Sequence, residues 1–169
     1  MVWSSDLCWH RDGIYHRSIN IDPLLNGELL YALRSMGHGD ELALVDVTFP
    51  ADSVGADTVM GAPIRLDGTD IISVAKAIFS VFPLDSFVAA PAHHMQVVDQ
   101  PERALEVHEE FQSAMRQYSG REWPLQSLER HEFYDRARNA FVVIVTGERR
   151  AYADFLMTKG AIGVDGQIL

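Results

Sequence analysis

The chain contains 169 residues, of which 47% are hydrophobic, and it carries a formal net charge of -10 at pH 7. This size and apolar content suit one domain with a buried core, and the acidic charge argues against nucleic acid or an anionic membrane as the main partner. The one cysteine, Cys8, excludes a disulfide within the chain and favours a reducing compartment, so we expect a cytoplasmic protein.

We divide the chain into an N-terminal extension, residues 1–18, and a single domain, residues 19–169. The extension lacks the apolar run of a signal peptide. In the domain, the first predicted helix begins at Asp22 and Pro23, because an aspartate followed by a proline suits an N-cap and the first helical position. Apolar residues then recur at helical spacing as far as Met36, where a glycine follows and ends the helix.

A short apolar strand is predicted next, over residues 42–47. Residues 51–68 are rich in glycine, aspartate and serine, so they are predicted to form a loop with a short strand at residues 63–66. Thr69 is the predicted N-cap of a second helix, whose apolar residues again follow helical spacing.

The second half of the chain continues this alternation. One strand is expected either at residues 86–90 or at residues 95–98, and Pro101 predicts the start of a third helix. A short helix over residues 133–137 precedes residues 141–145, which are apolar at every position. A strand of that kind is usually covered on both faces, so we predict an α/β single domain with three layers (helix, sheet, helix) and a mostly parallel or mixed central sheet.

His38 lies between two glycines, at the point where the first helix ends and the first strand begins. Glycine permits a positive φ and keeps side chains away from the imidazole, whose ordinary pKa of ~6.5 suits proton transfer at neutral pH. His38 is therefore a candidate acid–base group, with an exposed loop histidine as the alternative. Asp46 lies at the far end of the predicted strand, where it either turns the chain, accepts a hydrogen bond from a ligand hydroxyl or orients His38.

Metal and cofactor motifs are weak. His93 and His94 are adjacent, but neighbouring side chains on a strand point to opposite faces, and no cysteine or spaced histidine pair completes a zinc pattern. The turn at residues 147–150 lacks the lysine and the serine or threonine of a phosphate-binding loop. We therefore expect neither a metal nor another cofactor.

Five segments of the chain form a recognisable series. They are MGHGDELALVD from Met36, FPA from Phe49, RLDG from Arg65, FPLDSF from Phe82 and FYDRARNAFVVIVTGERRAY from Phe133. Together they resemble the L-fucose mutarotase and D-ribose pyranase family over nearly the whole chain. The glycine after His38 and the arginine at position 130 make the resemblance closer to the L-fucose mutarotase branch.

The resemblance implies a mutarotase that interconverts the α and β anomers of L-fucose or a related sugar by acid–base-assisted ring opening. It implies proton transfer by His38 and contacts with the monosaccharide from Asp46, Arg130, Tyr152 and Asp154, with Tyr152 also a second proton partner. It implies no cofactor. Members of the family form ring-shaped homo-oligomers with sites near subunit interfaces, so the same assembly is expected here.

Asp154 departs from the family pattern, which usually places asparagine at this position. A carboxylate accepts hydrogen bonds without donating them, and it adds negative charge near Asp46 that would favour the charged form of His38. Two alternatives therefore stay open. One is a D-ribose-type pyranase that interconverts pyranose and furanose forms, and the other is a sugar-binding or regulatory protein that has the fold without catalysis.

Overall fold

The computed structural model describes residues 20–119 and 122–169, so the N-terminal extension and Cys8 lie outside the described residues. The described residues form five helices and six strands. In chain order these are α1 (Gly27–Ser35), β1 (Glu41–Val45), α2 (Ala51–Gly55), β2 (Ile64–Leu66), α3 (Ile71–Phe79), β3 (Ala92–Met95), α4 (Glu106–Ser119), β4 (Leu125–Leu128), α5 (Arg130–Asn139), β5 (Val142–Thr146) and β6 (Phe155–Thr158). None of the described helices is long and apolar enough to cross a membrane.

The six strands form one mixed sheet in the order β2-β5-β1-β6-β3-β4. β5 pairs in parallel with β1 and β2, and β3 pairs in parallel with β4. β6 lies between β1 and β3 and is antiparallel to both. The predicted α/β fold with a mixed central sheet is therefore confirmed.

Helices cover both faces of this sheet. On β1, Leu42 and Leu44 belong to a core shared with α1, α3 and α4, whereas Ala43 and Val45 belong to a core shared with α2 and α5. All four side chains are fully buried, as expected for a strand that is apolar at every position. The alternation of side chains along the strand thus produces the predicted three layers.

The predicted helix starts are wrong by one to five residues. Asp22 caps only a local turn, and the side chain of Asn26 caps α1. Asp70, one residue after Thr69, accepts the capping hydrogen bond of α3, and α4 begins five residues after Pro101. More than one residue of the capping type precedes α1 and α3, and the one that caps each helix is the one whose side chain accepts from an N–H of the first turn.

Short elements account for the remaining differences from the prediction. α2 lies inside the predicted loop at residues 51–68. Of the two positions considered for the next strand, residues 86–90 and 95–98, β3 overlaps only the second, and only at Met95. No prediction was made for β4 or β6, each four residues long. β6 nevertheless occupies the middle of the sheet, with all four of its residues buried.

Candidate active site

Four of the predicted site residues lie at one edge of the sheet, where the parallel strands have their carboxyl ends. Asp46 directly follows β1, and Arg130 begins α5 just after β4. Tyr152 and Asp154 precede β6, whose antiparallel direction places its start at the same edge. Ligands of open α/β sheets commonly bind at this edge. The fold thus gathers residues that are more than 100 positions apart in the chain.

Asp46 is 3% exposed, and a tight turn fixes its carboxylate. Its Oδ1 accepts hydrogen bonds from the backbone N–H of Thr48 at 2.7 Å, from the hydroxyl of Thr48 at 2.7 Å and from the N–H of Phe49 at 3.0 Å. Its Oδ2 accepts no hydrogen bond from the residues that the structure describes. Asp46 therefore turns the chain and still has an oxygen available for a ligand hydroxyl.

Asp154 lies against Asp46 and is 4% exposed. Its Oδ1 accepts a hydrogen bond from the backbone N–H of Asp46 at 3.1 Å. Burial, together with the negative charge of Asp46, raises the pKa of the Asp154 carboxyl well above its usual range, and the hydrogen bond from Asp46 only partly opposes this. The site therefore disfavours two ionised carboxylates side by side.

The first turns of α5 contribute Arg130 and Tyr134, which share one face of the helix because they are four residues apart. Arg130 is exposed, whereas Tyr134 is half-buried and packs on the ring of Phe49 with 5.4 Å between the ring centroids. Burial raises the pKa of the Tyr134 hydroxyl, the neighbouring carboxyl groups of Asp154 and Asp46 raise it further, and Arg130 lowers it. Tyr134 is thus a candidate site residue that the sequence analysis missed, although its spacing from Arg130 was an available signal.

Tyr152 is held in an unusual backbone conformation, with a φ of 62°. Its carbonyl oxygen accepts a hydrogen bond from Nε2 of His108 at 3.0 Å, and its hydroxyl accepts a long one from the N–H of Val98 at 3.5 Å. The ring lines a cavity of about 430 Å³ together with apolar side chains that include Val97 and Leu105. Residues in such conformations persist where their surroundings hold them, often at functional sites.

His108 also packs on His94, with 3.9 Å between the ring centroids and an angle of 32° between the ring planes. Nδ1 of His94 donates to the carbonyl oxygen of Met95 at 3.1 Å, so each imidazole is tied to a backbone carbonyl. Burial lowers the pKa of His94 to about 4 and also lowers that of His108. This neutral pair on α4 and β3 supports the segment that carries Tyr152.

We expect His94 to make the fold sensitive to acid between pH 6.5 and about 4. In that range the unfolded chain binds a proton at His94 and the folded chain does not, so lowering the pH favours unfolding. His94→Asn keeps a side-chain donor, and its free energy of unfolding in urea should fall less on acidification than that of the wild type. The exposed His131→Asn is the matched control. Equal acid sensitivity of wild type and His94→Asn would contradict the expectation.

His38 lies at the opposite edge of the sheet, before β1 begins. Its Nε2 is 3.1 Å from Oδ1 of Asp85, and its ring meets that of Phe87 edge-on, with 5.5 Å between the centroids. The imidazole is 48% exposed, whereas the Asp85 carboxyl is buried. Gly39 has a φ of 85°, as the flanking glycines predicted. Asp85 was not singled out in the sequence, because it lies 47 residues from its partner and no local pattern joins them.

Within one chain, His38 and Asp46 do not meet. The five residues of β1 alone span about 13 Å at the usual rise per residue, and His38 and Asp46 lie beyond its opposite ends. The expectation that Asp46, or the charge of Asp154, would act on His38 is therefore wrong for a single chain. Asp85 is the carboxylate that orients this imidazole.

His93 and His94 face opposite sides of the sheet, as predicted. His93 lines a cavity of about 410 Å³ with Glu41 and Arg136, while His94 packs on α4 through His108. In residues 20–119 and 122–169, no group of three or more histidines, cysteines, aspartates or glutamates is arranged to hold a metal ion.

Similarity to known proteins identifies the family of this chain. The model of the RbsD / FucU transport protein family matches residues 19–162. The chain belongs to the RbsD/FucU family. Fucose mutarotase from Homo sapiens is 40% identical over 148 residues, which cover 86% of this chain and 94% of that protein.

Two solved structures also match. FucU from Bifidobacterium longum is 36% identical with a TM-score of 0.78, covering 85% of this chain and 99% of that one. The fucose mutarotase from Streptococcus pneumoniae in complex with L-fucose is 28% identical with a TM-score of 0.78, covering 86% and 100%. The resemblance to the L-fucose mutarotase branch is therefore confirmed. The individual roles of His38, Asp46, Arg130, Tyr152 and Asp154 stay predictions.

Proposed function

We propose that this RbsD/FucU-family protein is a monosaccharide mutarotase, which interconverts the α and β anomers of L-fucose or a closely related sugar. The observation that carries the proposal is an accessible histidine paired with a carboxylate, in a chain that also gathers polar side chains at the opposite edge of its sheet. Similarity to fucose mutarotases over most of the chain supports the choice of sugar.

Anomer exchange requires the sugar ring to open and close. A base removes the proton from the anomeric hydroxyl, an acid donates a proton to the ring oxygen, and the bond between the anomeric carbon and the ring oxygen breaks. The aldehyde rotates, and the same steps in reverse close the ring on its other face, so the protons balance. A positioned acid or base contributes ~10²–10⁴-fold to such a reaction.

His38 is the proposed proton-transfer group. Because the Asp85 carboxylate accepts from Nε2, the neutral ring carries its proton there, and Nδ1 is left with a lone pair that can act as the base. The exposure of the imidazole gives a sugar access to it. A buried carboxylate partner of this kind fixes both the tautomer and the orientation of the ring.

The side chains at the other edge would bind and orient the sugar. The second oxygen of Asp46 accepts from a sugar hydroxyl, and the exposed guanidinium of Arg130 donates to sugar oxygens. Tyr152 is the proposed second proton partner, with Asp154 beside it as a further contact. Tyr134 adds another hydroxyl to this group.

We also propose that the complete site forms between two subunits of a ring-shaped homo-oligomer. One chain holds His38 and Asp46 at opposite ends of β1, so it does not complete the site alone. In a ring, each interface joins two different surfaces of neighbouring subunits, so the two edges of the sheet can meet there. Phe87 and Val88, which are 66% and 42% exposed near His38, support a subunit contact at this edge.

The proposed partners are thus a monosaccharide and further copies of the chain, and neither nucleic acid nor a membrane. The proposed location is the cytoplasm. The acidic net charge and the single cysteine support both statements.

Saturation-transfer proton NMR on L-fucose and D-ribose tests the proposed reaction. A mutarotase of the fucose type should accelerate exchange between the α and β anomers of L-fucose. Acceleration of pyranose–furanose exchange in D-ribose alone would select the pyranase. Binding of L-fucose without faster exchange would select a non-catalytic sugar-binding protein.

A further inference from the structure

Two buried carboxyl groups lie next to each other at the carboxyl edge of the sheet. Asp46 follows β1 and Asp154 precedes β6, and the backbone N–H of Asp46 donates to Oδ1 of Asp154 at 3.1 Å. Both residues are buried. Two ionised carboxylates in such a place repel each other and lose hydration, so a pair of this kind tends to keep one proton.

The hydrogen-bond donors around the pair decide where that proton lies. Oδ1 of Asp46 receives three donors, from Thr48 and Phe49, and these donors favour a negative charge on that carboxyl. Oδ1 of Asp154 receives one donor. No group in the described part of the chain donates to Oδ2 of Asp154, so a proton there displaces no existing hydrogen bond.

The charged, titratable and hydrogen-bonding groups around Asp154 come from four elements, which are β1, α5, β3 and α4. Asp46 at the end of β1 is the negative neighbour, and α5 presents Tyr134 with the exposed Arg130. From β3, the backbone N–H of Met95 meets the carbonyl oxygen of Asp154.

Two histidine side chains, one from α4 and one from β3, lie near the residues on either side of Asp154 in the chain. His108 contacts the carbonyl oxygen of Tyr152 and the ring of Phe155, and His94 packs on His108. In this setting burial and the charge of Asp46 raise the pKa of Asp154 well above its usual range, which agrees with the donor pattern.

We propose that Asp154 carries a proton in the working protein and presents its O–H as a hydrogen-bond donor to a sugar oxygen. The inference rests on the proposed sugar site. Asp46 accepts from one sugar hydroxyl while Asp154 donates to a neighbouring oxygen, so the pair matches two adjacent oxygens of a neutral polyol. Two ionised carboxylates would instead form a site suited to a cation.

Infrared difference spectroscopy between the wild type and Asp154→Asn tests the proton without any ligand. At neutral pH we expect the carbonyl band of a protonated carboxyl group in the wild type, shifted in D₂O and absent from the variant. Asp46→Asn removes the repelling charge, so the titration of this band should move to lower pH. A difference spectrum with only carboxylate bands at neutral pH would overturn the proposal.

The affinity for L-fucose as a function of pH tests the donor role. Once the pH exceeds the pKa of Asp154, the wild-type affinity should fall by up to about tenfold per pH unit, because only the protonated form binds. Asp154→Asn always carries donor hydrogens, so it should lose this dependence. The same pH slope in both proteins would overturn the donor role. If L-fucose does not bind at all, the proposed function fails, while the infrared result still decides the protonation of Asp154.

Discussion

Replacing His38 with alanine should slow the catalysed exchange of L-fucose anomers by roughly 10²–10⁴-fold, the usual contribution of a positioned acid or base. The imidazole is accessible, and Asp85 fixes it through Nε2. The loss should fall mainly on kcat, since the proposed sugar-binding residues lie elsewhere. Saturation-transfer NMR at a fixed protein concentration measures the exchange rate.

Two further variants test whether the loss of activity in His38→Ala comes from the missing imidazole. His38→Gln keeps a polar side chain but cannot exchange protons near neutral pH, so it should be as slow as the alanine variant. His131→Ala removes an exposed histidine on α5 that has no assigned role, and it should exchange fucose at the wild-type rate. Full activity of His38→Ala would exclude proton transfer by this residue.

Mixed oligomers of His38→Ala and Asp46→Asn subunits should recover activity that neither variant has alone. Each subunit of such a mixture still supplies one intact edge of its sheet. If the site joins opposite edges of neighbouring subunits, about a quarter of the interfaces in a random equal mixture contain both intact residues. The expected activity is therefore about a quarter of the wild-type activity.

Co-expression of the two variants with different affinity tags, followed by purification on both tags, isolates the mixed oligomers for this measurement. A mixture of His38→Ala with His38→Gln is the matched control and should stay inactive, because every interface lacks the imidazole. Doubly purified oligomers that remain inactive would show that each site is built within one subunit. That result would also require His38 and Asp46 to act in separate places, given the strand between them.

The central strands could be predicted only where the chain carries a local signal. β1 and β5 are continuous apolar runs, and the glycine after Met36 ends the preceding helix, so their positions follow from sequence. β6 is equally buried but only four residues long, and it becomes a strand through pairing with β1 and β3, which are distant in the chain. Without β6, the antiparallel direction that brings Tyr152 to the edge with Asp46 could not be predicted, and only the family resemblance implied that both residues contact the same sugar.

The residues of the candidate site could likewise be predicted from the sequence, whereas their contacts depend on the fold. His38, Asp46, Arg130, Tyr152 and Asp154 were all identified from the sequence, because each lies in or beside a recognisable segment. The pairing of His38 with Asp85 depends on how the segment after α3 returns to the start of β1, and no periodic pattern encodes that contact. The protonation of Asp154 depends on burial and on its contact with Asp46, which only the fold defines.

The most direct test of this account is the rate at which the unmodified protein exchanges the anomers of L-fucose. Saturation of one anomeric proton should transfer to the other anomer in proportion to the concentration of protein, and His38→Ala at the same concentration should abolish the increase. Transfer that stays at the rate of free sugar, at protein concentrations where L-fucose binds, would contradict the proposed mutarotase.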